Sequence, residues 1–171
     1  ELSLADADVE WSASGDFDYL GGHVGAVGDL DGDGLPELAL AARGDDAAGE
    51  DAGAVYLFND PASSGGRVAS AADAAVLGEA AGDGLSPTIA AAGDMNGDGA
   101  DDFVLSAPQS ASGGTVYLFH GPLSGTVSAA SADAIAEQDV GGNGAGYALD
   151  AGVDLDGDGV LDLAIGDAGA S

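Results

Sequence analysis

A thirteen-residue phrase occurs three times in this chain, and it restricts the possible folds more than any other feature. The copies are Gly28-Asp-Leu-Asp-Gly-Asp-Gly-Leu-Pro-Glu-Leu-Ala-Leu40, Gly93-Asp-Met-Asn-Gly-Asp-Gly-Ala-Asp-Asp-Phe-Val-Leu105 and Val153-Asp-Leu-Asp-Gly-Asp-Gly-Val-Leu-Asp-Leu-Ala-Ile165. Their first aspartates, Asp29, Asp94 and Asp154, lie 65 and 60 residues apart. Self-similarity at a fixed period is the mark of a repeat architecture. Two further echoes support the period. Gly53-Ala-Val-Tyr-Leu-Phe58 returns as Gly114-Thr-Val-Tyr-Leu-Phe119, and a weaker Ala-Asp pattern begins at Ala5, Ala72 and Ala132.

Each unit reads as a short apolar strand, the acidic loop, a second strand, a glycine-rich turn, a third strand and a variable Ala/Ser/Asp stretch. No helix-length periodicity interrupts it. First strands are expected at Val24–Val27 and Ile89–Ala92, and second strands at Glu37–Ala41, Phe103–Ala107 and Leu161–Ile165. The Val-Tyr-Leu-Phe runs suit a pleated surface and form the third. Alanine favours helix in the stretches Ala69–Leu77 and Ser128–Glu137, whereas the repeat calls for an outer strand with loops; the repeat logic is preferred. The chain divides into repeat 1 over residues 1–68, repeat 2 over 69–127 and an incomplete repeat 3 over 128–171, all one continuous repeat domain.

The phrase itself is an oxygen cage. Carboxylate or amide oxygens stand at its loop positions 1, 3 and 5, glycine at 6 and a carboxylate at 9. A hard cation taking six or more oxygens wants this arrangement, and glycine lets the chain turn tightly enough for them to converge. Ca²⁺ suits it better than Mg²⁺, which tends to keep its waters. The first loop offers Asp29, Asp31, Asp33 and Glu37 with the carbonyl of Leu35. The second offers Asp94, Asn96, Asp98 and Asp102 with that of Ala100. The third offers Asp154, Asp156, Asp158 and Asp162 with that of Val160. An EF-hand needs a bidentate Glu at position 12 and flanking helices; here Leu40, Leu105 and Ile165 stand there.

Charge narrows the partners. Two Arg and no Lys face 31 acidic residues, for a formal charge of −29. That field repels nucleic acid and anionic membrane surfaces and attracts divalent cations. With no cysteine, neither disulfides nor thiolate chemistry is available. No stretch of apolar residues is long enough to span a bilayer as a helix. Catalysis has no evident basis: there is no Gly-x-Ser-x-Gly elbow, and the clustered carboxylates are ligands rather than a separated acid–base pair.

Asp-x-Asp/Asn-x-Asp-Gly-x-x-Asp/Glu between two strands, repeated about every sixty residues, resembles the FG-GAP repeat of integrin α-chain β-propellers and their bacterial relatives. The resemblance implies an all-β fold of propeller blades, two complete and one partial, each holding calcium between its first two strands. It makes the fifteen loop positions named above the ligands of three Ca²⁺ sites. The flanking signature is degraded: Leu20-Gly21, Leu85-Ser86 and Ala145-Gly146 stand where the family has Phe-Gly. Glu37 replaces the usual Asp of the first loop. A calcium-binding structural or adhesive module, extracellular or at the cell surface and not an enzyme, is the expectation. Its partners would be other copies, meeting through open blade edges, or other protein domains; no small-molecule ligand is indicated. The alternative is an accessory ligand- or substrate-binding segment of a larger secreted enzyme or receptor. Arg43-Gly44-Asp45 spells an integrin-recognised tripeptide and is read as a solvated loop. His23, His120 and Trp11 are read as surface or packing residues.

Overall fold

The computed structural model describes residues 9–13, 18–61, 65–138 and 144–168, so the first Ala-Asp echo falls largely outside them. The described residues contain thirteen strands and two short 3-10 turns and no α-helix. They run β1 (Val9–Ser12), β2 (Leu20–Ala26), β3 (Leu38–Ala42), β4 (Ala54–Phe58), β5 (Gly65–Val68), β6 (Ala74–Leu77), β7 (Ile89–Gly93), β8 (Asp102–Ala107), β9 (Thr115–Phe119), β10 (Gly125–Ser128), β11 (Ala134–Glu137), β12 (Ala145–Val153) and β13 (Asp162–Asp167). The fold is all-β, as the repeat implied, and each acidic loop joins the first two strands of a unit.

Two four-stranded antiparallel meanders form blades. In the first, β2, β3, β4 and β6 pair in turn; in the second, β7, β8, β9 and β11 do. Strands β12 and β13 begin a third. First strands stand side by side, β2 near β7 and β7 near β12, so the three acidic loops emerge at the same end. The alanine-rich stretches resolve as the repeat required. A 3-10 turn, Ala69–Ala71 or Ala129–Ser131, leads into the outer strand β6 or β11.

One arrangement was not expected. Strand β10, from the second repeat, reaches back and pairs in parallel with β6 on the outer edge of the first blade, Val127 opposite Val76. Strand β5 does the same to β1, Trp11 opposite Arg67. Consecutive units are thus stitched by one parallel strand each. The outward edge of β11 has no such strand beside it among the described residues; all four of its residues are exposed, with Ile135 at 45%.

Strand alternation fixes the layers, because successive side chains point to opposite faces. Val55 and Leu57 of β4 face the second blade, where Phe103 and Leu105 of β8 and Tyr117 and Phe119 of β9 meet them in one buried cluster. The Phe103 and Phe119 rings stack at 5.5 Å. Ala54, Tyr56 and Phe58 face the other way, toward Trp11, whose ring meets Phe58 edge-on at 6.0 Å. Ala92, Val104 and Val116 carry the second blade onto Leu149, Ala151 and Leu163 of the third. Alanine predominates because the sheets lie close. At Gly152 a Cβ would come within 3.2 Å of the Ala91 and Ala92 carbonyls.

Candidate metal centres

All three acidic loops wrap in the same way around their first aspartate. Asp29 accepts from the amides of Gly32 (2.8 Å) and Gly34 (2.9 Å), Asp94 from Gly97 (2.7 Å) and Gly99 (2.9 Å), and Asp154 from Gly157 (2.7 Å) and Gly159 (2.9 Å). These glycines sit at φ between +78° and +97° with open space where a Cβ would go, so backbone conformation alone demands them. The last carboxylate closes each loop: Glu37 accepts from the Leu30 amide, Asp102 from Met95 (2.8 Å) and Asp162 from Leu155 (2.8 Å). The fifth-position aspartate accepts from the amide two residues on, at Leu35, Ala100 and Val160. Amide donors also act on charge. Those of Gly159 and Gly157 hold the Asp154 carboxyl below the ordinary Asp value, and the Ala100 amide and Asn96 side chain do so for Asp98.

What the loops gather differs. In the first, Asp29, Asp31, Asp33 and Glu37 each place an oxygen within 4.8 Å of all the others. In the third, Asp154, Asp156 and Asp162 do so, without Asp158. Among the described residues the carboxylates of the second loop form no comparable group. Their acceptors face protein donors instead. Asp102, fully buried, accepts from Gly121 (3.1 Å) as well as Met95 and lies 3.0 Å from His120 Nδ1. Asn96 donates to Asp98 at 2.9 Å. Leu35, Ala100 and Val160 have alkyl side chains without a ligand atom, so only their main-chain carbonyls are possible ligand sources.

Glu37 is the informative residue. It is 0% exposed, and burial, reinforced by Asp31, Asp29 and Asp33 and opposed by the Leu30 amide, raises its carboxyl above the ordinary Glu value. Its Oε1 is buried with no hydrogen-bond partner among the described residues. A carboxylate oxygen left so is strongly unfavourable. A hard cation among four converging oxygens satisfies it, so the residues present fit Ca²⁺.

Three residues outside the expected ligand sets also touch these loops, among them His120, expected only as a surface or packing residue. Asn59 and His120 directly follow the equivalent strands β4 and β9; Asn59 donates to Asp31 at 2.8 Å, and His120 meets Asp102. Their shared place after the repeated Val-Tyr-Leu-Phe run was the available signal. Asp101, in the second loop, contacts the first: its Oδ2 accepts from the Asp29 amide and its own amide donates to the Asp29 carbonyl, both at 2.9 Å.

At the opposite end of the blades lies a cleft of about 250 Å³ lined by Tyr19, Arg43, Gly44, Asp51, Gly82, Gly84 and Gln109. Arg43 stands over the Tyr19 ring at 5.5 Å. Asp45 beside it is only 4% exposed, held by the Tyr56 hydroxyl (2.6 Å) and the Ala47 amide (2.9 Å). The Arg43-Gly44-Asp45 tripeptide is therefore no solvated loop: its carboxylate is committed inside the fold. His23 Nδ1 lies 3.2 Å from the Pro87 carbonyl, linking β2 to the connection that leads into β7.

The FG-GAP repeat model matches residues 21–58 and 86–119, each stretch running from around a blade's first strand through its acidic loop to the end of its third. Integrin alpha-PS2 of Drosophila melanogaster is 32% identical over 91% of the chain, and integrin alpha-IIb of Mus musculus is 33% identical over 88%. Integrin alpha-X of Homo sapiens is 42% identical over 43% of the chain. The chain spans 12% and 15% of the lengths of the first two relatives.

Proposed function

The chain carries FG-GAP repeats and is a homologue of integrin alpha chains, and on that premise we propose that it is a calcium-dependent structural or adhesive module of an extracellular protein. The observation that carries the reading is the Oε1 of Glu37, buried and without a hydrogen-bond partner among the described residues, within the four-carboxylate group of the first loop. Asp29, Asp31, Asp33 and Glu37 would hold one ion with the Leu35 carbonyl. Asp94, Asn96, Asp98, Asp102 and the Ala100 carbonyl would hold a second, and Asp154, Asp156, Asp158, Asp162 and the Val160 carbonyl a third. A bound Ca²⁺ supplies positive charge and flexible oxygen coordination, nothing more. The chain's part is to hold mutually repelling carboxylates together, so that binding free energy becomes folding free energy. Millimolar extracellular calcium suits even sites of modest affinity. Calorimetric titration of metal-free protein with Ca²⁺ tests this. Three bound equivalents are expected, and no heat of binding at millimolar calcium would overturn it.

Association with further repeats or with other copies is the second part of the proposal. The edge of β11, beside which no strand lies among the described residues, supports it, since the equivalent edge of β6 is filled by β10. Exposed edges are templates for strand addition. Light scattering with and without calcium reads this directly; a monomer at high concentration in calcium would count against self-association.

The cleft favours one alternative, a ligand- or substrate-binding segment of a larger secreted enzyme or receptor. Tyr19 and Asp51, on its wall, hold φ of +54° and +51°. Such strain in non-glycine residues concentrates at functional sites.

A further inference from the structure

Neighbouring loops are joined differently at the two seams. Between the first and second, Asp101 reaches across and grips the main chain of Asp29 on both sides, through its carboxylate and its amide. Gly28, just before Asp29, is what admits it: a Cβ there would stand 2.5 Å from Asp101 Oδ2. Gly121 packs over the same seam, where a Cβ would meet the carbonyls of Asp101 and Leu30 at 2.5 and 2.6 Å, and its amide donates to Asp102. Between the second and third loops the corresponding residue is Leu161. It touches Gly93 with an apolar methyl, and among the described residues no hydrogen bond ties it to the second loop.

We propose that Asp101 is a positioning residue that couples the first two metal sites, so that an ion in the second loop raises the affinity of the first. The inference rests on the calcium reading above. Asp101 lies between Ala100 and Asp102, both assigned to the second site, and its two hydrogen bonds end on the backbone of Asp29, the residue around which the first loop wraps. Ordering the second loop fixes Asp101, and Asp101 fixes Asp29. The first site then loses less conformational freedom when it closes. A carboxylate here that ligates nothing also adds negative charge beside the first site. Because coupling between binding sites is reciprocal, an ion in the first loop strengthens the second by the same factor. The Leu161 seam has no directional bond, so the third site binds independently.

The test is Ca²⁺ titration of the whole chain followed by ¹⁵N NMR, with the amides of Gly34, Gly99 and Gly159 as reporters for the three loops. Asp94→Ala, which disables the second loop, is expected to weaken binding at Gly34 by about fivefold or more, the lower range of site coupling. Binding at Gly159 stays unchanged. In an Asp101→Leu background the first site is already weak, and adding Asp94→Ala changes it no further. Asp101→Asn keeps an oxygen for the Asp29 amide and retains the coupling. Asp33→Ala, in the first loop, weakens the Gly99 response by the same factor. Calcium shifts at all three reporters, with Gly34 indifferent to Asp94→Ala, overturn the coupling and leave the calcium reading standing. Absence of calcium shifts at every reporter in the wild type overturns both.

Discussion

The first and third acidic loops share a motif and a backbone wrap but not an environment. In the first, Leu30 is 3% exposed and Glu37 fully buried; in the third, the equivalent Leu155 is 65% exposed and Asp162 half-buried. Four carboxylates converge in one and three in the other. The first is also covered from outside, by Asn59 on Asp31 and Asp101 on Asp29. Among the described residues nothing equivalent reaches the third. The motif therefore shapes the turn, and the neighbours close the site. Affinity differences among such loops belong to the third strand and the next blade as much as to the ligands.

The largest test of this contrast removes the ion. Chelation is expected to lower the melting midpoint by about 10 °C or more, given ~2.7 kcal/mol for each site held at a hundredfold its Kd and ~2–4 °C per kcal/mol at this size. Asp31→Ala should remove the largest single share of that calcium-dependent shift and Asp156→Ala the smallest. Equal losses would break the comparison.

Glu37→Gln should change sign with the medium. In chelator it stabilises the fold by about 1–3 kcal/mol, because an uncompensated buried carboxylate becomes a neutral amide. In calcium it destabilises, since a charged ligand is lost. Asp162→Asn, half-exposed, should show the second effect but little of the first. Denaturant unfolding in the two media reads both.

Asn59→Ala should weaken the first site by about 0.5–1.5 kcal/mol, one hydrogen bond, and leave the third untouched; site-resolved titration decides. The smallest effect belongs to Asp83, outside every loop. Burial raises its carboxyl above the ordinary Asp value, against the Ala80 amide it accepts from. Its contribution is thus full below the unfolded value of 3.8 and lost as pH rises through the folded one. Asp83→Asn should raise the melting midpoint slightly at pH 7 and not at pH 3, with or without calcium.

Much of this was legible in the residues. The acidic loops lie where the repeat put them, and the strands expected over 37–41, 103–107 and 161–165 are β3, β8 and β13, at Leu38–Ala42, Asp102–Ala107 and Asp162–Asp167. Helix propensity in the alanine-rich stretches yielded to the blade edge: Asp73 and Asp133 bind the amides of Asn59 and His120 and start the outer strands instead. Strands β5 and β10 were missed because Gly65–Val68 and Gly125–Ser128 carry little alternation. Their partners, β1 and β6, lie far back in the chain and outside the blade that precedes each strand, which no local pattern announces. Asp101 was invisible for a related reason. Its counterparts are Pro36 and Leu161, so the repeat itself hides the one copy that reaches across. The second loop shows that ligand spacing does not ensure convergence. His120 and Gly121, from outside the loop, and Asn96, the amide at its third position, take up its acceptors.

The backward pairing of β5 on β1 and β10 on β6 gives the units the logic of roof tiles, each overlapping the one before. A cut placed between the sequence repeats, after residue 68 or 127, parts a blade from its own outer strand, β6 or β11. A unit is better excised or duplicated between one outer strand and the next blade's first strand, as between β6 and β7, where each operation exchanges one four-residue parallel overlap for another. Lengthening an array of these units need invent no new joint.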